Sequence, residues 1–328
     1  MSDLPQPNTV PATRTEVRPA RRSRLPSRRK FREWAWCYFY LFPFLLFFVA
    51  FTIWPMVASV TWSFTDFRVP GGSTTFIGLQ NFRELLNDDL FKRSFVNTLI
   101  FGIGNTALKL PLALLLALLL TRKWAVGKTF FRTIYFLPIV VPTAIAGLIF
   151  AFLLHPLNGA VPNLLRDAGL ISSRDNIFLG SRATAMMSII LVSVWQILGQ
   201  YMIYWMAALQ SVPESLTDAA QIDGATFWQE LFYVTLPSIK PLAIIITFLG
   251  LVNAFGVFGI VLTLTGGGPG SQSYVTQLWV YDRAFTQMPF RYGYISAGGL
   301  LFALFVLVVF ALQAVAVRRA QAQIAGGQ

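Results

Sequence analysis

The stretch FVNTLIFGIGNTALKLPLALLLALLL (95 to 120) holds a single charged side chain, Lys109. At about 1.5 Å of rise per residue, a helix of this length crosses roughly 30 Å of hydrocarbon. Five more runs share its character: AWCYFYLFPFLLFFVAFTIWPMVA (35 to 58) and the segments 134 to 154, 187 to 209, 241 to 262 and 293 to 317. The first is longer than a signal-peptide core and lacks a small-residue cleavage site after it, so it reads as a retained span. The fold class predicted is all-α: a polytopic membrane protein with six transmembrane helices.

The composition agrees. Of 328 residues 55% are hydrophobic and only 12% charged, and Phe (30) outnumbers Lys plus Arg (26). A soluble domain would carry about a quarter charged residues, and a disordered chain would be far less apolar. The formal net charge of +12 would suggest a nucleic-acid partner in a soluble protein, but here its placement gives another reading. With the amino terminus inside, sixteen Lys and Arg fall in inner segments and nine in outer ones, leaving Lys109 in a span. The positive-inside rule then predicts both termini in the cytoplasm, with no nucleic acid bound. The one cysteine, Cys37, and the one histidine, His155, exclude a disulfide framework and a zinc-type site; no metal site is expected.

Residues 1 to 32 read as a flexible basic tail, 33 to 320 as the six-helix domain, and 321 to 328 as a short second tail. The outer stretches 59 to 94, 155 to 186 and 263 to 292 are long enough to fold back as short helices. The inner stretch SVPESLTDAAQIDGATFWQELFYVTLPSIKP (211 to 241) is different, because it carries four of the fourteen acids, Glu214, Asp218, Asp223 and Glu230, where cations would favour orientation. Ser211 with Pro213 resembles a helix start. Gly224 interrupts the helix, and Ala225 to Leu236 resume it until Pro237 ends it. This predicts a compact knob able to insert into a cleft of another protein. The blander reading is an interfacial helix joining two spans, although the absence of Lys and Arg from 211 to 239 disfavours a membrane-surface helix.

Asp218, Ala219, Ala220, Gly224, Leu236 and Pro237 resemble the EAA loop in permease subunits of bacterial binding-protein-dependent ABC importers, with Asp218 in place of the usual Glu. The resemblance narrows to sugar-type permeases of the MalF and UgpA kind through Ile77-Gly78-Leu79-Gln80-Asn81-Phe82, Asn97-Thr98, Leu264-Thr265-Gly266-Gly267-Gly268-Pro269, and Tyr281, Ala284, Phe285, Tyr292 and Gly293. It implies a MetI-like permease fold in the bacterial inner membrane. It also implies that the loop 211 to 237 couples to a cytoplasmic ATPase through Glu214, Asp218, Ala219, Ala220, Asp223, Gly224 and Pro237. The implied partners are a second homologous permease, two ATPase subunits that hold ATP and Mg, an extracytoplasmic solute-binding protein and membrane lipid. This chain would hold no cofactor and perform no bond chemistry. The implied solute is a sugar, oligosaccharide, polyol or glycerol phosphate.

Four polar residues in the spans are candidates for the translocation path: Lys109, Gln196, Gln200 and Asn253. Each could instead bond across a helix interface. Gln196 and Gln200 share a helical face, and Trp195, Tyr204 and Trp205 could offer flat apolar surface to a polyol. Gly266, Gly267, Gly268 and Pro269 lack the Lys-Ser/Thr ending of a phosphate loop and read as an external turn. An ion-coupled transporter would need an intramembrane acid, and none of the six runs contains Asp or Glu. A non-transporting scaffold is the other alternative.

Overall fold

The computed structural model describes residues 28–68, 74–122, 126–171 and 178–325. Residues 1–27 of the expected tail, Lys123, Arg174 and residues 326–328 lie outside them. The chain divides into two units, Met1–Met56 and Val57–Gln328.

In the first unit, α1 (Arg28–Phe48) begins within the stretch read as tail and continues through a π turn at Val49–Ile53. Its aromatic residues stack at helical spacing, Trp36 on Tyr40 at 6.1 Å and Phe44 on Phe48 at 5.9 Å between ring centroids. From Trp34 onward the helix is apolar on every side, which suits lipid rather than a soluble surface. The helix α2 (Trp54–Ser63) runs across the division.

The second unit continues with α3 (Gln80–Leu85), α4 (Asp89–Thr121), α5 (Lys128–Phe136), α6 (Thr143–Leu153), α7 (Ala160–Asp167) and α8 (Arg182–Leu209). Then come α9 (Glu214–Ile222), α10 (Phe227–Gln229), a π turn at Glu230–Thr235, α11 (Leu236–Ser238) and α12 (Lys240–Phe255). The unit closes with α13 (Gly259–Leu264), α14 (Thr276–Tyr281) and α15 (Tyr292–Ala325). Among the described residues no strand forms, and one isolated bridge pairs Thr65 with Phe76.

Among the described residues four helices are long and apolar enough to span on their own, and up to six spans result if two bent pairs each count once. The expected run 134 to 154 is bent: Lys128–Val140 and Thr143–Leu153 meet at 94°. Pro142 is the cause, because its ring drives the preceding residue out of the helical region, and Val141 is extended at φ −71°, ψ 124°. The run 241 to 262 stops at Phe255 and restarts at Gly259, and Phe227–Ser238 meets α12 at 78°. Pro237 is the penultimate residue of the continuous helical stretch Phe227–Ser238, which ends one residue after it, before the bend.

Two apolar clusters fill the second unit. One gathers Phe91, Phe101, Ile189, Val261, Leu278 and Trp279; the other gathers Leu110, Ala117, Met202, Trp205, Ile239 and Ile246. At Gly199 a Cβ atom would lie 2.1 Å from the Tyr135 carbonyl oxygen, so only glycine lets α5 approach α8 this closely.

Candidate functional site

The knob at 211–238 is built by local rules. Ser211, expected as the cap of α9, instead donates its hydroxyl to the Ala208 carbonyl at 2.7 Å and so closes α8. Pro213 takes the cap position at φ −58°, ψ 130°, and Glu214 falls in the first turn, where a carboxylate favours the positive end of the helix dipole. At the other end Gly224 has φ +78°, and Ala225 N–H returns to the Ala220 carbonyl at 2.9 Å. This is the left-handed helix stop that glycine adopts without strain. A Cβ there would meet nothing within 4 Å, so the backbone angle rather than lack of space demands the glycine. Thr226 N–H donates to Gln229 Oε1 at 2.8 Å to start the return helix.

Leu231, Thr235 and Ile239 are buried and anchor this return. Glu214, Asp218, Ala219, Asp223, Gly224 and Pro237 are exposed, Ala220 and Glu230 half-buried. None of the four acids forms an ion pair among the described residues. Around them Ile222 is 85% exposed and Tyr233 80% exposed, with Trp228 and Phe232 also outward. Behind the knob lies a cleft of about 460 Å³ lined by Arg122, Asp218, Gln221, Phe227 and Glu230, with the Arg122 guanidinium 4.3 Å from the centre of the Phe227 ring.

Midway along the helices, polar side chains interrupt the apolar packing. Lys109 is fully buried; its Nζ lies 3.4 Å from the Gly250 carbonyl oxygen and 4.2 Å from the centre of the Tyr201 ring. The Tyr201 hydroxyl donates to the adjacent Leu249 carbonyl at 3.0 Å. Asn105 Nδ2 donates to Ser193 Oγ at 3.2 Å. Gln196 Nε2 donates at 2.8 Å to the Val141 carbonyl that the proline break leaves outside a helix. Gln200 is half-buried and donates to the Tyr204 hydroxyl at 2.7 Å, while Asn253 is exposed.

The opposite end is interlocked. Asp88 caps α4, accepting from Leu90 N–H and Phe91 N–H at 2.8 and 3.1 Å, and also takes the Tyr294 hydroxyl at 2.8 Å and Arg283 at 3.5 Å. Arg291 donates with both terminal nitrogens to Glu84. These hydrogen bonds hold the Glu84 carboxyl below its ordinary range and raise the Arg291 guanidinium. Tyr274 donates to Asp282, and burial, reinforced by that bond, pushes the phenol well above its usual range.

The motif residues serve the same interlock. Asn81 Nδ2 donates to the Ser63 and Thr65 carbonyls at 3.0 and 2.9 Å, Asn97 Nδ2 to Tyr274 O at 3.0 Å, and Thr98 Oγ1 accepts from Thr276 N–H at 2.9 Å. In the turn 266–270, Gly266 and Gly267 have φ of +56° and +84°, and Ser273 Oγ bonds Thr265 Oγ1 and Gly268 O at 2.9 and 2.6 Å.

The family pattern described as "Binding-protein-dependent transport system inner membrane component" matches residues 109–322. The chain belongs to this family. The permease is 34% identical over 79% of its length, and 88% of the other chain, to the "Probable ABC transporter permease protein YurN" of Bacillus subtilis. It is 31% identical over 93% of its length, and 90% of the other, to the "Diacetylchitobiose uptake system permease protein NgcF" of Streptomyces coelicolor. A chain of a solved bacterial alginate ABC transporter, in complex with an alginate pentasaccharide-bound periplasmic protein, superposes with a TM-score of 0.76 at 26% identity. That match covers 88% of the permease and 96% of the other chain. The permease is thus a transporter subunit of the MetI-like fold and not an enzyme.

The permease gathers the knob residues on one protruding element but does not bring the four intramembrane candidates together. Lys109 bonds to a backbone carbonyl of α12, Gln196 to the Val141 carbonyl at the proline break, Gln200 bonds within α8, and Asn253 is exposed. Trp205 is buried and Trp195 is 43% exposed, so the flat surfaces face different ways. Sequence reading missed Tyr201 and Arg122. Their partners Lys109 and Phe227 lie on distant segments, and no periodicity connects such pairs.

Proposed function

We propose that this permease forms half of the translocation path of an ATP-driven importer for an oligosaccharide or related carbohydrate, and that its knob at 211–238 docks on a cytoplasmic ATPase. The observation that carries the docking is the knob itself. It combines four acids without ion pairs among the described residues, outward Ile222, Trp228, Phe232 and Tyr233, and a glycine turn that fixes its shape. Isolated apolar residues are normal on a surface, but the stacked Trp228 and Phe232, with Ile222 and Tyr233 also outward on the same acidic element, suit a protein partner. The relatives named for diacetylchitobiose and alginate support the solute class.

In this reading both termini face the cytoplasm, as the cation distribution favours. A second homologous permease completes the path, two ATPase subunits hold ATP and Mg, and a solute-binding protein delivers the solute from outside. Closure of the ATPases on ATP moves the knobs, and the path opens alternately to either side. Exposed Asn253 and half-buried Gln200 face the path and exchange hydrogen bonds with solute hydroxyls. Lys109 and Gln196 hold the helices around it.

Uptake measured in cells depleted of ATP but retaining an ion gradient tests the proposal. Loss of uptake of the solute retained by the co-purified binding protein is expected; persistence of uptake overturns ATP coupling.

A further inference from the structure

The polar belt around Lys109 lies between the two apolar clusters on all three helices that meet there. On α4 Phe101 belongs to one cluster and Leu110 to the other; on α8 the border falls between Val194 and Tyr201, and on α12 between Ile246 and Ala254. At that level two neighbouring carbonyls of α12 are held from outside the helix. Leu249 O accepts from Tyr201 on α8, and Gly250 O lies against the Lys109 ammonium of α4, which also rests on the Tyr201 ring. Thr106, one turn before Lys109, packs near Gly250, where an added Cβ would meet its methyl at 3.5 Å. Lys109 is thus the one place where α4, α8 and α12 share a charged contact among the described residues.

Apolar packing sets register through shape alone, whereas a cation held between a ring face and a carbonyl adds a directional contact that specifies one position. From Gly224 within the knob the chain passes the π turn, leaves the knob at the 78° bend, and enters α12 directly. From Lys240 to Gly250 is ten residues of helix, about 15 Å. A displacement entering at the knob therefore reaches Leu249 and Gly250 along a stiff rod. There the clamp ties it to α4 and α8, each of which contributes to both apolar clusters.

We propose that Lys109 is a positioning residue for the transport cycle: by clamping Leu249 and Gly250 of α12 to α4 and α8, it transmits movement between the knob and the opposite end of the permease. The assignment rests on the transporter reading. It separates Lys109 from a solute-contacting role, since its ammonium is buried against backbone and ring.

The test is hydrolysis of Mg-ATP by the complete assembly in lipid nanodiscs, with and without the co-purified solute-binding protein. For Lys109→Met the unstimulated rate stays within about two-fold of wild type, while stimulation by the binding protein falls about five- to ten-fold, the range of ordinary inter-site coupling. Lys109→Arg restores most of the stimulation, because a longer cation still reaches ring and carbonyl. Wild-type stimulation in Lys109→Met overturns the proposal. If Lys109→Met does not assemble, Tyr201→Phe decides: it keeps the ring but removes the bond to Leu249, and is expected to lower stimulation about two-fold. Unchanged stimulation in that variant is equally contrary. A wild-type assembly that hydrolyses no ATP, or ignores the binding protein, overturns the ATP-coupling reading instead.

Discussion

The two ends of the second unit handle charge in opposite ways. At one end Glu84, Asp88 and Asp282 each meet a cation or a tyrosine of another segment, and the motif asparagines bond to backbone. At the other end Glu214, Asp218, Asp223 and Glu230 form no ion pair among the described residues and stand beside outward aromatic rings. At the first end these three acids are satisfied by the chain's own residues. The knob is held in shape while its acids find no charged partner among the described residues, and we propose that the partner protein supplies it.

If that contrast is right, mutations at the knob change coupling and mutations at the opposite end change stability. The largest effect is expected at Gly224. Gly224→Val forces a β-branched residue into a left-handed turn at a cost of about 1–2 kcal/mol, with ample space around it. Uptake should fall at least about ten-fold while membrane insertion, measured by immunoblot of membranes, stays normal; unchanged uptake refutes this.

Next comes Asp88→Ala, which removes the cap of α4 and the acceptor for Tyr294. Loss of a cap and a part-buried bond predicts a destabilisation of about 2–3 kcal/mol. It would appear as a lowered thermal unfolding midpoint in detergent, with the ratio of uptake to ATP hydrolysed unchanged. A midpoint equal to wild type denies the interlock.

Asn97→Ala is a smaller version, costing about 1–2 kcal/mol for one buried bond to Tyr274. Differential scanning calorimetry should resolve it.

The smallest effect is a pH dependence. Arg291 holds the Glu84 carboxyl below its ordinary value of 4.5, so the pair's contribution is present above that pH and is lost as pH falls through the lowered value. Because both side chains are partly exposed the contribution is small. The gap in unfolding midpoint between wild type and Glu84→Gln should hold near neutral pH and close in acid, as pH falls through the lowered Glu84 value. A gap that widens in acid contradicts the assignment.

The spans and the knob were legible because both depend on local pattern: apolar length for the spans, and the turn at Gly224 with acids spaced around it. The bends were less so. The run 134 to 154 is apolar throughout, and only Pro142 signals that Val141 must leave the helix. The bond from Gln196 then follows from that break, since it satisfies a carbonyl the straight span would have used internally. The Lys109 clamp was illegible. Its two partners lie 92 and 141 residues away, and nothing in the period of α4 points to either. The motif asparagines were recognisable only by resemblance; that Asn81 and Asn97 bond backbone across the fold required the packing.

The most direct measurement concerns what touches the knob. A photo-crosslinking residue in place of Ile222, 85% exposed at the end of α9, reports its neighbour in intact membranes. The account predicts one dominant adduct, an ATP-binding subunit identified by mass spectrometry, whose yield changes when ATP and Mg are supplied. Adducts to lipid alone, with no ATP-binding protein among them, would contradict it.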